Sequence, residues 1–300
     1  MIALLDALVA QTPAADVSGP AQINLVQAII LGIVQGLTEF LPISSSAHLK
    51  VVPIALGWGD PGVAYTAVIQ LGSIVAVLWY FWKDLTNITV GAVDAVVRRD
   101  YKSHEFQMAL GLVLGTIPIV FFGLLIKALV PDFDKSPLRS LTSIAIASIV
   151  MSLLLAIAEK IGKRNRTYEK LTVQDGILMG LAQAIALIPG CSRSGSTLTA
   201  GLFIGLERPA AARFSFLLGI PAITLAGLVE LKGALGEGIG DAGVAALIVG
   251  TISAFVFSYL SIAWLMKFLQ TQNTWIFVWY RLAFGVAILT AIAGGAVKNA

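Results

Sequence analysis

Gln35 and Glu39 stand four residues apart in Gln35-Gly36-Leu37-Thr38-Glu39, so a helix through this run sets an amide and a carboxylate on one face. The run is otherwise apolar, and a carboxylate at bilayer depth costs roughly 2.5 to 3.5 kcal/mol on insertion scales. One reading is a neutral acid bonded to backbone. The other is a working group: a divalent-cation ligand with Gln35 as a supporting oxygen, or a general acid or base.

Ser44-Ser45-Ser46-Ala47-His48 follows at once. His48 lies three residues after Ser45, a spacing at which imidazole and hydroxyl can approach as base and nucleophile, and at which His48 can itself attack phosphorus. The sequence leaves Ser45, His48 and a water as alternative nucleophiles, and the serines also suit helix caps.

A second cluster, Pro189-Gly190-Cys191-Ser192-Arg193-Ser194-Gly195-Ser196-Thr197, combines hydroxyls, glycines that free backbone N–H groups for an anion nest, and one guanidinium. Ser192, Arg193, Ser194 and Thr197 are therefore candidate phosphate contacts. Arg193 suits the task because its planar fork binds two phosphate oxygens and stays charged when desolvated. An ion pair with Glu39 serving structure alone is the competing reading. Phosphoryl transfer needs charge stabilised on the equatorial oxygens while nucleophile and leaving oxygen lie in line. An arginine, a nest and a cation together meet that need. Arg281 and Arg213 sit near predicted span ends, where they either face the same pocket or snorkel.

The elements carrying these clusters read as membrane helices. Hydrophobic residues make up 57% and charged residues 12% of the chain, about half the charged share of a soluble domain, and mean hydropathy is +0.88. Gly62 to Trp82, Met108 to Ile126, Ser140 to Ala158 and Ala242 to Met266 run without a charge, and each approaches or exceeds the length of a span. Pro209 to Leu231 and Thr274 to Val297 are further spans that carry Arg213, Glu230 and Arg281. Ile2 to Ala10 is short, contains Asp6 and lacks a basic leader region, which predicts a surface helix. The single cysteine, Cys191, excludes an intrachain disulfide and a cysteine-based metal cluster. The net charge of +3 resides mostly in loops between spans, so no nucleic-acid partner is expected.

Ile23 to Thr38 and Gly176 to Gly190 are too short to cross and run into the two polar clusters; Leu49 to Leu56 and Leu198 to Leu206 carry the chain back. They read as re-entrant limbs. A shift of 148 superimposes Gly32 on Gly180, Gln35 on Gln183, Ser44 on Ser192 and Ser46 on Ser194, and a shift of 135 superimposes Gly115-Thr116-Ile117 on Gly250-Thr251-Ile252. The difference is assigned to a longer charged loop, Lys83 to Gln107. The expected fold is all-α: a single integral membrane domain over residues 1–300, with six full transmembrane helices, two re-entrant helix-loop-helix units, and inverted-topology repeats over about 23–158 and 172–297. Eleven Lys and Arg residues on one predicted face oppose six on the other, which makes the richer face cytoplasmic and puts both termini outside. Trp79, Trp82, Trp264, Trp275 and Trp279 then form an interfacial belt.

Gln35-Gly-Leu-Thr-Glu39-Phe-Leu-Pro-Ile-Ser-Ser-Ser-Ala-His48 and Pro189-Gly-Cys-Ser-Arg193-Ser-Gly-Ser-Thr197 resemble the two signatures of the undecaprenyl diphosphate phosphatases of the bacitracin-resistance type, with likeness from about residue 23 to the end. The resemblance implies hydrolysis of undecaprenyl diphosphate to undecaprenyl phosphate, recycling a lipid carrier of wall synthesis in the bacterial inner membrane. It also implies a divalent cation, Mg2+ or Ca2+, and a homodimer. Carried across by position, it assigns the acidic motif to Gln35 and Glu39, the serine and histidine to Ser45 and His48, and phosphate binding to Ser192, Arg193 and Thr197. Gln35 stands where the family often has Glu, which removes a charge from the cation site. The rival reading is a secondary transporter or lipid flippase, because inverted repeats with broken helices also build carriers.

Overall fold

The structure, a computed structural model, describes residues 23–130, 133, 136–237 and 243–299. The expectation for Ile2 to Ala10 lies outside these residues. Among the described residues the chain is helical, with one isolated parallel bridge between Arg166 and Leu206.

Eleven α-helices follow in order among these residues: α1 (Leu25–Phe40), α2 (Ser45–Ala55), α3 (Gly62–Tyr80), α4 (Trp82–Arg98), α5 (His104–Leu129), α6 (Leu141–Ile161), α7 (Val173–Ala184), α8 (Arg193–Phe203), α9 (Arg208–Glu237), α10 (Val244–Thr271) and α11 (Trp275–Ala293). Five of them, α5, α6, α9, α10 and α11, are long and apolar enough to cross a membrane; α3 and α4 together make a sixth if their 64° bend lies within one span. In α5 only 17% of the most apolar window is buried, and Val113, Phe121 and Leu124 face outward. Such a surface is tolerable against hydrocarbon rather than water. This is a multi-pass membrane protein.

The short helices repeat each other in detail. Shifted by 148, the start of α1 falls on the start of α7, and α2 falls on α8 at both ends. Asn24 and Thr172 cap α1 and α7 with reciprocal capping boxes. Ser44 and Ser192, the residues before α2 and α8, both hold positive φ, 79° and 68°, which is costly for a side chain with a Cβ. Each forms a hydroxyl contact of 3.2 Å to the serine two residues on.

Each short helix lies against a long helix from the other half of the chain. A methyl group at Gly32 would collide with the Gly250 carbonyl of α10, and one at Gly180 with the Gly115 carbonyl of α5. The glycines matched by the sequence shifts are thus the ones whose backbones meet, as small residues permit between membrane helices. Helix α6 is stitched to α11 by Ser148 and Ser152, whose hydroxyls donate to the carbonyls of Arg281 and Val278.

Two segments differ from the sequence reading. The expected loop from Lys83 to Gln107 is largely helix α4: Asp84 lies in its first turn, Asp94 pairs with Arg98 at i,i+4, and Ile88 and Ala95 are its buried face. Seven-residue spacing of two apolar positions was masked by the charges around them. The second polar cluster is also more helical than a nest: Ser192 is an N-cap accepting from the Gly195 amide at 3.1 Å, and Arg193 opens α8.

Candidate active site

Helices α2 and α8 begin where the two clusters meet, joined by Arg193 on Glu39 and Ser194 on the Leu41 carbonyl, so the first turns of both helices belong to one centre, with the Gly195 amide already taken by the Ser192 cap. Glu39, at the end of α1, joins them. Its Oε2 accepts from Ser45 Oγ at 2.6 Å and from Gln35 Nε2 at 3.4 Å, and its Oε1 accepts from Arg193 Nη2 at 3.3 Å. The Glu39 and Arg193 side chains are only 8% and 10% exposed. At 3.3 Å their pairing is loose for a charge-assisted bond. Arg193 Nε is buried without a protein partner, its Nη1 reaches the Ser215 carbonyl at 3.5 Å, and its guanidinium lies 5.9 Å from the Phe40 ring centroid. An arginine with an unused donor beside a loose carboxylate is held ready for an oxyanion.

The neighbouring hydroxyls secure this geometry. Thr197 donates to the Arg193 carbonyl at 2.9 Å and shares a short contact with the Ser215 hydroxyl. Ser194 donates to the Leu41 carbonyl of the first tip at 3.0 Å. Behind Glu39, Gln35 donates to Ser73 Oγ at 3.3 Å, and Ser258 donates to Ser73 at 2.8 Å, so the amide is fixed from below by α3 and α10.

His48 is placed differently from the expectation that its ring meets Ser45. Nδ1 lies 2.7 Å from the Ser44 carbonyl and Nε2 lies 2.6 Å from the Tyr280 hydroxyl. A carbonyl can only accept, so Nδ1 carries a proton, and Nε2 faces the Tyr280 hydroxyl, from which it accepts when the ring is neutral. The Ser45 hydroxyl is left to Glu39.

Arg281 does not snorkel. It is 1% exposed, and it donates to Pro42 O of the first tip, to Gly190 O and Cys191 O of the second, and to Ser148 O of α6. One guanidinium thereby ties both tips to α6 and α11. Arg213 lies elsewhere, pairing with Asp84 and covering the Tyr168 ring at 4.1 Å.

Glu39, Ser45, Ser192, Arg193, Ser194 and Thr197 are brought together at the tips, with Gln35 behind them and His48 one turn along α2. Sequence reasoning passed over Tyr280, Ser73, Ser215 and Ser258. Their signal was a lone hydroxyl inside an apolar span, weaker than a charge because a span hydroxyl can satisfy itself on its own helix. No group of three or more His, Cys, Asp or Glu side chains stands ready to hold a metal among the described residues.

Fold and site together define a polytopic helical membrane protein with a polar centre of one carboxylate, one free-sided arginine and two helix N-termini. The chain matches the family described as bacitracin resistance protein BacA over residues 28–287, and it belongs to that family. It is similar to proteins named undecaprenyl-diphosphatase: 69% identical to one from Trichormus variabilis over 281 residues, 94% of this chain and 88% of the relative. One from Synechocystis sp. is 70% identical over 279 residues, 93% and 86% of the two chains, and one from Gloeobacter violaceus is 56% identical over 278 residues, 93% and 95%.

Proposed function

We propose that this protein hydrolyses undecaprenyl diphosphate to undecaprenyl phosphate and inorganic phosphate in the bacterial inner membrane. The observation that carries the reading is the Ser45 hydroxyl donating at 2.6 Å to a carboxylate that Arg193 also holds. That is an oxygen nucleophile on its base, with a cation alongside.

In this mechanism Arg193 turns from Glu39 to the terminal phosphate, using Nε and an Nη, and the α8 N-terminus with Ser192, Ser194 and Thr197 receives the remaining oxygens. Glu39, released from the arginine, takes the Ser45 proton as Oγ attacks the terminal phosphorus. The bond to the bridging oxygen breaks and undecaprenyl phosphate leaves. The Glu39 proton passes to the departing undecaprenyl phosphate; water then cleaves the phosphoserine, with Glu39 taking the water's proton and returning it to Ser45 Oγ as inorganic phosphate leaves, and Arg281 keeps the two tips in register throughout.

A single carboxylate does not build a cage for a divalent cation, but it fits one shared with a diphosphate, the usual way Mg2+ is held. Glu39 and, with its amide turned over from the orientation in which Nε2 faces Glu39, the Gln35 side-chain oxygen would hold Mg2+ or Ca2+ there, and the ion would neutralise charge on the diphosphate oxygens.

The proposed architecture is one membrane domain of six spans and two re-entrant units, α1–α2 and α7–α8, related as inverted repeats over about 23–158 and 172–297. The 148-residue correspondence of the short helices and the crossed packing of α1 on α10 and α7 on α5 support it. The termini face outward, so the diphosphate enters from the outer face, and the chain pairs as a homodimer in keeping with its family resemblance.

The test is phosphate release from farnesyl or undecaprenyl diphosphate by purified protein, with and without chelator. Arg193→Ala is expected to keep its melting temperature and lose about two to three orders of magnitude in turnover, the scale for one transition-state charge stabiliser. A folded Arg193→Ala with near-normal turnover removes Arg193 from the mechanism, and a folded wild type without release removes the function.

A further inference from the structure

Tyr280 lies at the site without a task in the reaction above. It precedes Arg281 on α11, and its side of the helix is open, with Tyr280 43% exposed. Its hydroxyl lies 2.6 Å from His48 Nε2, within hydrogen-bond distance, and its ring lies nearly parallel to the imidazole, centroids 5.6 Å apart and planes 15° apart. Phe284, one turn further, stacks on His48 at 4.3 Å and 12°. The imidazole is thus held at both nitrogens and against two rings.

Its two hydrogen-bond partners differ in one respect. The Ser44 carbonyl can only accept, so it keeps its bond from Nδ1–H whether the ring is neutral or charged. A phenol hydroxyl can both donate and accept. It donates to Nε2 of the neutral ring and, by rotating its own proton, accepts from Nε2–H once the ring is protonated. The imidazole can therefore take up and release one proton at Nε2 without turning or leaving an unmatched donor in a buried place, where such a mismatch is costly.

We infer that Tyr280 is a positioning residue for the proposed hydrolysis, acting through His48 by fixing its ring and matching Nε2 in either protonation state. The inference rests on the phosphatase reading, so its test needs a readout besides activity. The chain holds two histidines, and the ring of the other, His104, packs edge-on against Tyr168 at 5.8 Å. Full-length protein labelled with 15N-histidine therefore gives one site signal and one internal reference.

Wild-type His48 is expected to show the Nδ1-protonated tautomer. Tyr280→Phe, which removes one oxygen and keeps the stacked ring, is expected to move the His48 Nε2 resonance and leave His104 unmoved. Its kcat should fall about tenfold, the scale of one hydrogen bond, with KM within about twofold and an unchanged melting temperature. An Nε2-protonated tautomer in the wild type overturns the inference. So does an active wild type whose variant leaves the His48 nitrogens, or kcat, unchanged. A folded wild type that releases no phosphate instead overturns the phosphatase reading on which the inference stands.

Discussion

Gln35 donates its amide to Glu39 and to Ser73, a position in which it neutralises nothing and orients the carboxylate. Gln35→Glu would set two carboxylates at i,i+4 on one face of α1, where like charges repel unless a proton or a cation lies between them. The proposed cation would then have two anionic ligands, and cation affinity rises with ligand charge. Half-saturation by Mg2+ in the phosphate-release assay is expected at about tenfold lower concentration in the variant, with lower thermal stability in chelator. An unchanged Mg2+ dependence would take Gln35 and Glu39 out of the cation site. The same residues mark what sequence reading can reach at this scale. The i,i+4 pairing of Gln35 and Glu39 follows from helical spacing alone and is found. The pairing of His48 with Ser45 was drawn from the same kind of spacing and is not found, because helical side chains lean toward the N-terminus and the imidazole reaches back to the Ser44 carbonyl. Its second partner, Tyr280, is 232 residues away, which no local spacing could supply.

Among the elements, the paired short helices were legible because each ends in polar residues after too few apolar ones to cross, and because matched glycines and serines recur at one offset. Helix α4 was not, since its charges outweigh a buried face of two residues. Nor could sequence say what the matched glycines touch, because the partner helix lies in the other half of the chain. That contact makes a sharp prediction. At Gly180 an added methyl meets the Gly115 backbone, which cannot swing aside, whereas at Gly123 the nearest atom is Leu187 Cδ2 at 3.6 Å, an ordinary contact. Gly180→Ala is expected to destabilise the protein by about 1 to 3 kcal/mol through overpacking, and Gly123→Ala by much less, read as melting temperatures in the same detergent. Equal melting temperatures for the two variants would contradict the close approach of α7 to α5.

At the scale of the whole molecule, polar contacts sort the loops into two ends. At one, Glu159 binds Arg164, Arg208 and Thr274, Arg166 binds Asp175, Arg213 binds Asp84 beneath Tyr168, and Tyr168 meets His104. These contacts join the loops that carry Lys102, Lys163, Arg164 and Arg166. At the other end Lys50 donates to the Arg139 carbonyl and the Thr142 amide donates to Asn299, beside Lys298. The first end holds most of the loop cations, and basic loops stay in the cytoplasm because translocating them is disfavoured. Impermeant maleimide can test that orientation, because the one native cysteine, Cys191, is buried at 5% exposure and gives a low background. Lys298→Cys is expected to label in intact cells, and Lys102→Cys only after permeabilisation; both positions are exposed. The reverse pattern would put the arginine-rich end outside, and the diphosphate would then have to reach Glu39 and Arg193 from the cytoplasm.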